Sequence, residues 1–268
     1  MIQLIAGGVA AYGAAVGALF LLQESMLFPR RAAAVATYPL PRQAERIHLE
    51  SVTGERLVGT LVRARERSQG VVLAFSGNAW NADDLIVYIS HRVRNFDIVC
   101  FHYRGYAPSE GEPGEAAFFV DALAIHDWIA KQWPKEEILL AGFSIGTGVA
   151  AYVMRERPVR GGLLVTPFDS IEAIARERYP WAPVSRLLRH RFRSDLHLTG
   201  RDVPTFVVMA SDDQVVPRAR TEALVTRLKR PLEIVTVPQS THNTIYDQPM
   251  FDDLLRSALL RLVQAGEP

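Results

Sequence analysis

The segment GFSIG, residues 142–146, places the hydroxyl of Ser144 between two glycines directly after an apolar run. This G-x-S-x-G pattern is typical of a sharp strand-to-helix turn that lifts a nucleophilic serine clear of the backbone. The overlapping segment 146–151 is a G-x-G-x-x-A, and Asp169 follows it about 20 residues later, as in a dinucleotide-binding turn. The serine predicts nucleophilic catalysis, and the glycines leave a dinucleotide site as the alternative.

Two later loops supply the groups that a nucleophilic serine requires, namely a general base and a carboxylate that orients it. The apolar run TFVVMA is followed at once by Asp213, and the run LEIVTV is followed by a loop that contains His242. His242 is therefore the candidate base and Asp213 its carboxylate partner. The alternatives are a helix N-cap before Pro217 for Asp213 and a partly buried polar loop residue for His242.

Donors for a developing oxyanion are also available. The run VVLAF continues into Ser76, Gly77 and Asn78, where the glycine lets the Asn78 backbone N–H point into the site. The N–H of Ile145, directly after the serine, is the second candidate donor. The dinucleotide alternative accounts for none of these loops, so they favour the nucleophile. The sequence contains no phosphate-binding loop motif and no cluster with metal-ligand spacing, so we expect neither a cofactor nor a metal.

The elements that position these loops follow from the hydrophobic pattern. Short continuous apolar runs indicate strands that are buried on both faces of a parallel sheet; they are VVLAF, DIVCF, EILLAGF, GGLLVTP, TFVVMA and LEIVTV. Helical spacing occurs over 115–133, 144–156, 217–229 and 248–263. Before them, ERIHLES and LVGTLVR alternate as an antiparallel edge hairpin. We expect an α/β fold with a mostly parallel sheet of about eight strands. Residues 168–200 show no strand pattern and predict a short helical cap.

The N-terminal stretch is long and apolar enough to cross a bilayer. Residues 1–23 carry no charged side chain, and about 20 apolar residues span the hydrocarbon core as a helix. We predict a transmembrane anchor over 1–23, a connector rich in proline and alanine over 24–43, and a catalytic domain over 44–268. A cleaved signal peptide is the alternative, but no basic region precedes the apolar run and no clear cleavage site follows it.

The distribution of charged and small residues indicates how the protein is oriented in a membrane and which partners it could bind. The basic residues Arg30, Arg31 and Arg42 follow the apolar stretch, so the positive-inside rule favours a single-pass membrane protein with a cytoplasmic catalytic domain. Gly13 and Gly17 form a G-x-x-x-G, which leaves helix pairing open and the oligomeric state undetermined. Thirty basic side chains against 29 acidic ones give a net charge of +1, which argues against a nucleic-acid partner.

The cap segment carries six arginines beside Tyr179, Trp181 and Phe192. Such a set is compatible with an anionic membrane surface or headgroup. The alternative is an ordinary solvated helical face whose arginines pair with acidic neighbours.

Taken together, these segments resemble the α/β-hydrolase superfamily, and in particular its membrane-anchored serine hydrolases of the lysophospholipase, monoacylglycerol lipase and depalmitoylase kinds. The resemblance rests on GFSIG, FSGNAWN, FHYRGYAPSEGEPGE, TPFDSIEAIARERYPWAPV, DDQVVP and THN. It covers nearly all of the chain after the apolar stretch. The chain order of serine, aspartate and histidine is the one found in that fold.

The resemblance implies roles for five residues: nucleophile Ser144, acid Asp213, base His242, and oxyanion donors Asn78 and Ile145. The match to the family's D-x-V-V-P assigns the acid to Asp213 and not to its neighbour Asp212. Ser76 departs from the histidine that is usual before this glycine, which affects packing behind the oxyanion loop more than the backbone donor.

The implied activity is hydrolysis of carboxylic esters, with lipid-like or acylated substrates delivered from the membrane, through an acyl-enzyme formed on Ser144. Two alternatives remain. One is an amidase or aminopeptidase of the same fold, and the other is a non-catalytic binding protein in which Ser76 marks lost catalysis.

Overall fold

Eight strands form one sheet in the computed structural model, which describes residues 2–265. The strands are β1 (Ala44–Glu50), β2 (Arg56–Val62), β3 (Val71–Phe75), β4 (Asp97–Phe101), β5 (Ile138–Phe143), β6 (Gly161–Val165), β7 (Thr205–Ala210) and β8 (Pro231–Val237). Their order across the sheet is β1-β2-β4-β3-β5-β6-β7-β8. The β1–β2 and β2–β4 pairs are antiparallel and all others are parallel. The predicted sheet and its edge hairpin are confirmed.

Helices connect and cover the strands. They are α1 (Ile2–Leu27), α2 (Ala82–Arg92), α3 (Glu115–Gln132), α4 (Ile145–Glu156), α5 (Ile171–Arg178), α6 (Val184–Leu187), α7 (Ser194–Leu198), α8 (Arg218–Val225) and α9 (Pro249–Ala265). The sequence pattern does not predict α2. The predicted helix over 217–229 is shorter, because α8 ends at Val225. Within the predicted cap, 168–200, the structure has three short helices and no strand, as expected.

Both faces of the sheet are buried, which explains the continuous apolar runs. Every residue of β3, β4, β5, β6 and β7 is buried. One core lies under α3 and α4, and the other under α2 and α9. Because strands in such a sheet have no solvent-facing side, their sequences show no alternation.

The cap is fixed to the helices below it by polar and aromatic contacts. The Glu115 carboxylate at the start of α3 accepts the backbone N–H groups of Arg191 at 2.6 Å and Phe192 at 2.9 Å. The fully buried Phe192 ring faces Gly148 of α4, where an added Cβ would lie 3.0 Å from the ring. The small residue in α4 therefore makes room for the cap.

The segment after the apolar stretch is bound to the sheet domain. Helix α1 continues to Leu27, four residues beyond the end of the predicted anchor at Gln23. Phe28 is only 3% exposed and packs edge-on against Phe118. Met1 of the predicted anchor and residues 266–268 of the predicted catalytic domain lie outside the described residues.

Two side chains at the start of α2 fix the backbone farther along this segment. The Asn81 side chain donates to the Ala33 carbonyl at 2.8 Å, and the Asp84 carboxylate accepts the Thr37 and Tyr38 N–H groups. The segment predicted as a connector is therefore held at defined points on α2.

His197 in α7 gives the cap region a pH-dependent stability. Its ring packs edge-on against Phe119 and Tyr152, and burial, reinforced by the Arg155 charge, lowers the pKa of His197 to about 4. An unfolded histidine takes up its proton near pH 6.5, so between these values the unfolded state binds more protons. Stability is therefore complete above about pH 6.5 and falls as the pH drops towards about 4.

We expect His197→Gln to flatten the decline of unfolding free energy over this pH window. Urea unfolding at a series of pH values measures it. The matched control is His48→Gln, because His48 lies exposed on edge strand β1. A decline of the same slope in His197→Gln and in the parent would contradict the assignment.

Candidate active site

Ser144 occupies a strained turn between β5 and α4. Its backbone angles are φ 51° and ψ −120°, in a region that residues other than glycine rarely adopt. The two flanking glycines make the turn sterically possible. A Cβ on Gly142 would lie 2.7 Å from the Gly146 carbonyl oxygen, and a Cβ on Gly146 would overlap the Phe75 carbonyl. The turn therefore has the geometry that the G-x-S-x-G pattern predicts.

The structure brings Ser144, His242 and Asp213 into one chain of hydrogen bonds. His242 Nε2 lies 2.9 Å from Ser144 Oγ, and His242 Nδ1 lies 2.7 Å from Asp213 Oδ2. A carboxylate can only accept, so Nδ1 carries the proton and the Nε2 lone pair faces the serine hydroxyl. This arrangement can remove a proton from Ser144 when the hydroxyl attacks a carbonyl carbon.

The Asp213 carboxylate is oriented by its own loop. Oδ1 accepts the backbone N–H groups of Val215 at 2.9 Å and Val216 at 2.7 Å, which leaves Oδ2 for the histidine. Helix α8 has no side-chain cap, so Asp213 does not serve as its N-cap. The neighbouring Asp212 is exposed and hydrogen-bonds only with Ser211 through its carboxylate, within residues 2–265.

The loops after β7 and β8 are tied together. The Asp212 N–H donates to the Ser240 carbonyl at 2.8 Å, and the Ser240 N–H donates to Ser211 Oγ at 3.1 Å. These bonds fix the two chain segments that carry Asp213 and His242 relative to each other.

The loop after β3 passes beside the nucleophile. A Cβ on Gly77 would lie 3.7 Å from the Ser144 Cβ. The Asn78 side chain donates to the Leu27 carbonyl at 3.0 Å. Across residues 2–265, the backbone N–H groups of Asn78 and Ile145 make no hydrogen bond to protein, so both remain available to an oxygen bound near Ser144. Ser76, at the position of the usual histidine, is buried, and its carbonyl accepts the Tyr103 hydroxyl.

A cavity of about 540 Å³ opens above Ser144 and His242. Its walls are mainly apolar side chains of α1 and of the cap helices α5 and α6. Arg178 and His190 of the cap lie on its wall, and burial lowers the pKa of His190, which favours the neutral ring. A volume of this size is typical of sites for small organic ligands.

The glycine-rich start of α4 is closed to a cofactor. The side of Gly148 is occupied by the Phe192 and Phe168 rings. Asp169, the candidate ribose ligand of the alternative, forms an ion pair with Arg220 at 2.9 Å. The structure therefore contradicts a dinucleotide site at residues 146–151.

Sequence reasoning did not identify the cavity residues outside the catalytic loops. Those from α1 are Val16, Leu19, Phe20, Gln23, Met26 and Leu27, and Arg178 comes from the end of α5. The sequence did contain one sign that α1 contacts the rest of the protein. The polar residues Gln23 and Glu24 interrupt the apolar run, and Leu27 and Phe28 resume it.

No family model matches the sequence. An uncharacterized protein of Mycobacterium tuberculosis is 29% identical over 227 residues, which cover 82% of this chain and 80% of that protein. The lysophosphatidylserine lipase ABHD12 of Danio rerio is 30% identical over 179 residues, or 57% of this chain. The chain spans about half the length of the ABHD12 relatives that it matches, 45% for the Danio rerio protein and 56% for that of Macaca fascicularis.

Solved structures agree on the fold. An α/β hydrolase from Vibrio vulnificus aligns with a TM-score of 0.70 at 17% identity, covering 88% of this chain and 92% of that one. An esterase from Pyrococcus furiosus aligns with a TM-score of 0.66 at 17% identity, covering 85% and 97%. The fold is that of an α/β hydrolase. The proteins similar to this chain include ones named as esterases and lipases.

Proposed function

We propose that the protein is a serine hydrolase that cleaves carboxylic esters with a long acyl chain. The observation that carries this proposal is the hydrogen-bonded chain from Asp213 through His242 to Ser144 at the floor of an apolar cavity. The esterase and lipase names among the relatives support the reaction class.

In the proposed reaction, Ser144 Oγ attacks the ester carbonyl carbon while His242 Nε2 takes the hydroxyl proton. The Asn78 and Ile145 N–H groups stabilise the negative charge on the carbonyl oxygen. His242 then donates its proton to the leaving alcohol, which gives the acyl-enzyme, and Asp213 stabilises the histidine cation throughout. Water, activated by His242, releases the fatty acid and restores Ser144.

The proposed location is the membrane. Helix α1 is long and apolar enough to cross a bilayer by length and composition, over a candidate span of Ala6–Ala33. The proposed organisation is an anchor over 1–23, a connector over 24–43 and a hydrolase domain over 44–268 with a cap over 168–200. We propose a single pass with the hydrolase domain on the cytoplasmic side, from the arginines that follow the anchor.

Arg178 favours a lysophospholipid over a neutral glyceride as the substrate. It lies on the cavity wall, and within residues 2–265 its guanidinium forms no ion pair. A lone guanidinium beside an apolar cavity suits an anionic headgroup next to an acyl chain. The name of the ABHD12 relatives, lysophosphatidylserine lipase, points to the same chemical class.

We expect the full-length protein to hydrolyse anionic lysophospholipids in mixed micelles, and Arg178→Gln to lower kcat/KM for them by about tenfold. Monoacylglycerol turnover should change little. Fatty-acid release measures both. The matched control is Arg176→Gln, a cap arginine of the same helix that is not on this cavity wall and forms no ion pair within residues 2–265. No fatty-acid release from any ester would overturn the proposed function, whereas an equal loss on both substrates would overturn only the headgroup role.

A further inference from the structure

Helix α1 forms one wall of the cavity above Ser144, and the opposite wall is the cap. We propose that the second half of α1, Val16–Leu27, is part of the substrate site, where it holds the acyl chain against the cap and limits its length. This inference rests on the proposed function and assigns the terminal helix a role in specificity in addition to anchoring.

One face of α1 is turned towards the cavity. Val16, Phe20, Gln23 and Leu27 are half-buried, with the spacing of a single helix face. Leu21, on another face, is 76% exposed. A helix that only anchors the chain needs no face packed on the enzyme, so the asymmetry in burial indicates a second role.

Specific polar contacts hold α1 on the cap. The Arg189 N–H donates to Gln23 Oε1 at 2.9 Å, and the Arg189 guanidinium pairs with Glu24 at 2.6 Å. Nearer the N-terminus of the helix, the Tyr12 hydroxyl donates a hydrogen bond to the Trp181 carbonyl at 3.0 Å. These bonds fix the position of α1 along the cap, as a cavity wall requires.

The C-terminal end of α1 reaches the catalytic loops. The Leu27 carbonyl accepts the Asn78 side chain at 3.0 Å, and Asn78 directly follows Gly77, the loop residue that lies beside Ser144. Val16 lies 11 residues earlier in the helix, a rise of about 16 Å. The cavity wall therefore extends from the reacting serine along α1, as far as a long acyl chain bound at Ser144 would need.

The position of the cap along α1 brings the cavity to the bilayer. The span Ala6–Ala33, which is long and apolar enough to cross a bilayer, includes the cavity-facing residues Val16–Leu27. A crossing by this span therefore places the cavity wall at the bilayer. An acyl chain then passes sideways from lipid into the cavity without exposing its methylene groups to water.

Substitutions on the two faces of α1 test the inference. We compare Leu19→Trp, on the cavity wall, with Leu21→Trp, on the exposed face, in full-length protein in detergent micelles. The measured quantity is the ratio of p-nitrophenyl palmitate to p-nitrophenyl butyrate hydrolysis. We expect it to fall by about tenfold or more in Leu19→Trp, because the indole fills space that only the long chain needs. It should stay within about twofold of the parent in Leu21→Trp.

Thermal unfolding checks that each variant is folded, and the ratio to butyrate hydrolysis separates a change in chain-length selectivity from a general loss of activity. If Leu19→Trp fails to fold, Val16→Phe narrows the same wall farther from Ser144 and is expected to lower the same ratio. Unchanged ratios in folded wall variants, or an equal fall in Leu21→Trp, would overturn the inference and leave the proposed function standing. A parent protein that hydrolyses neither the palmitate nor the butyrate ester would overturn the proposed function itself.

Discussion

Replacing Ser144 with alanine is expected to lower ester hydrolysis by about 10³-fold or more, because it removes the hydroxyl that hydrogen-bonds with His242 Nε2. The backbone should keep its shape, since alanine carries the same Cβ that Ser144 already accommodates at φ 51°. The value of kcat/KM for p-nitrophenyl butyrate measures the loss, and thermal unfolding checks that the variant is folded.

A fluorophosphonate probe provides an independent measurement of the same residue. It should label the parent protein at Ser144, and heat-unfolded protein should not react, because the hydroxyl is activated only by its folded contact with His242 at 2.9 Å. Mass spectrometry of the labelled peptide identifies the site. Near-parent turnover in Ser144→Ala, or labelling at a different serine, would rule out the nucleophile.

The sheet was predictable because burial on both faces leaves a clear mark on the sequence. Each apolar run that we assigned to a parallel strand forms one, and the polar loops after β5, β7 and β8 meet at one edge. The strands and the loops that follow them depend on local pattern and general topology, and both are accessible without coordinates. The order of the strands across the sheet was not predicted.

Helix α2 was missed for a physical reason. Its first turn contains Asp83 and Asp84, which would be expected on a solvated surface, yet both are buried. Asp83 pairs with Arg46 at 2.7 Å, and Asp84 binds backbone N–H groups of the preceding segment. Partners this distant in sequence satisfy the buried carboxylates, so the local pattern gives no sign of the helix face.

The role of α1 in the cavity was equally hidden. Lipid and an acyl-chain cavity both favour apolar side chains. A helix with lipid on one side and such a cavity on the other therefore shows no polar stripe. The contacts of Tyr12, Gln23 and Glu24 with the cap distinguish the two faces. Gly148 is a related case, because the space beside this glycine of α4 is filled by Phe192 of the cap, a contact that no local sequence pattern indicates.

The assignment of Asp213, and not Asp212, as the carboxylate that orients His242 also depends on tertiary contacts. Its substitution is the second change for which we expect a large loss of activity. Asp213→Asn should lower kcat/KM by about 10³- to 10⁴-fold. The Val215 and Val216 N–H groups, which now bind Oδ1, would hold the amide oxygen, so the NH₂ group would face His242 Nδ1. Nδ1 would then have to accept a hydrogen bond, so the ring proton would move to Nε2. A protonated Nε2 has no lone pair with which to take the proton of Ser144.

Asp212→Asn is the matched control, with the same chemical change one residue away on an exposed side chain. We expect it to retain kcat/KM within about twofold, because its carboxylate contacts only Ser211 among the described residues. Nitrogen NMR of the His242 ring should show the tautomer change in Asp213→Asn alone. A comparable loss in both variants would indicate that the acidic pair acts through its charge, and a loss confined to Asp212→Asn would move the carboxylate role to that residue.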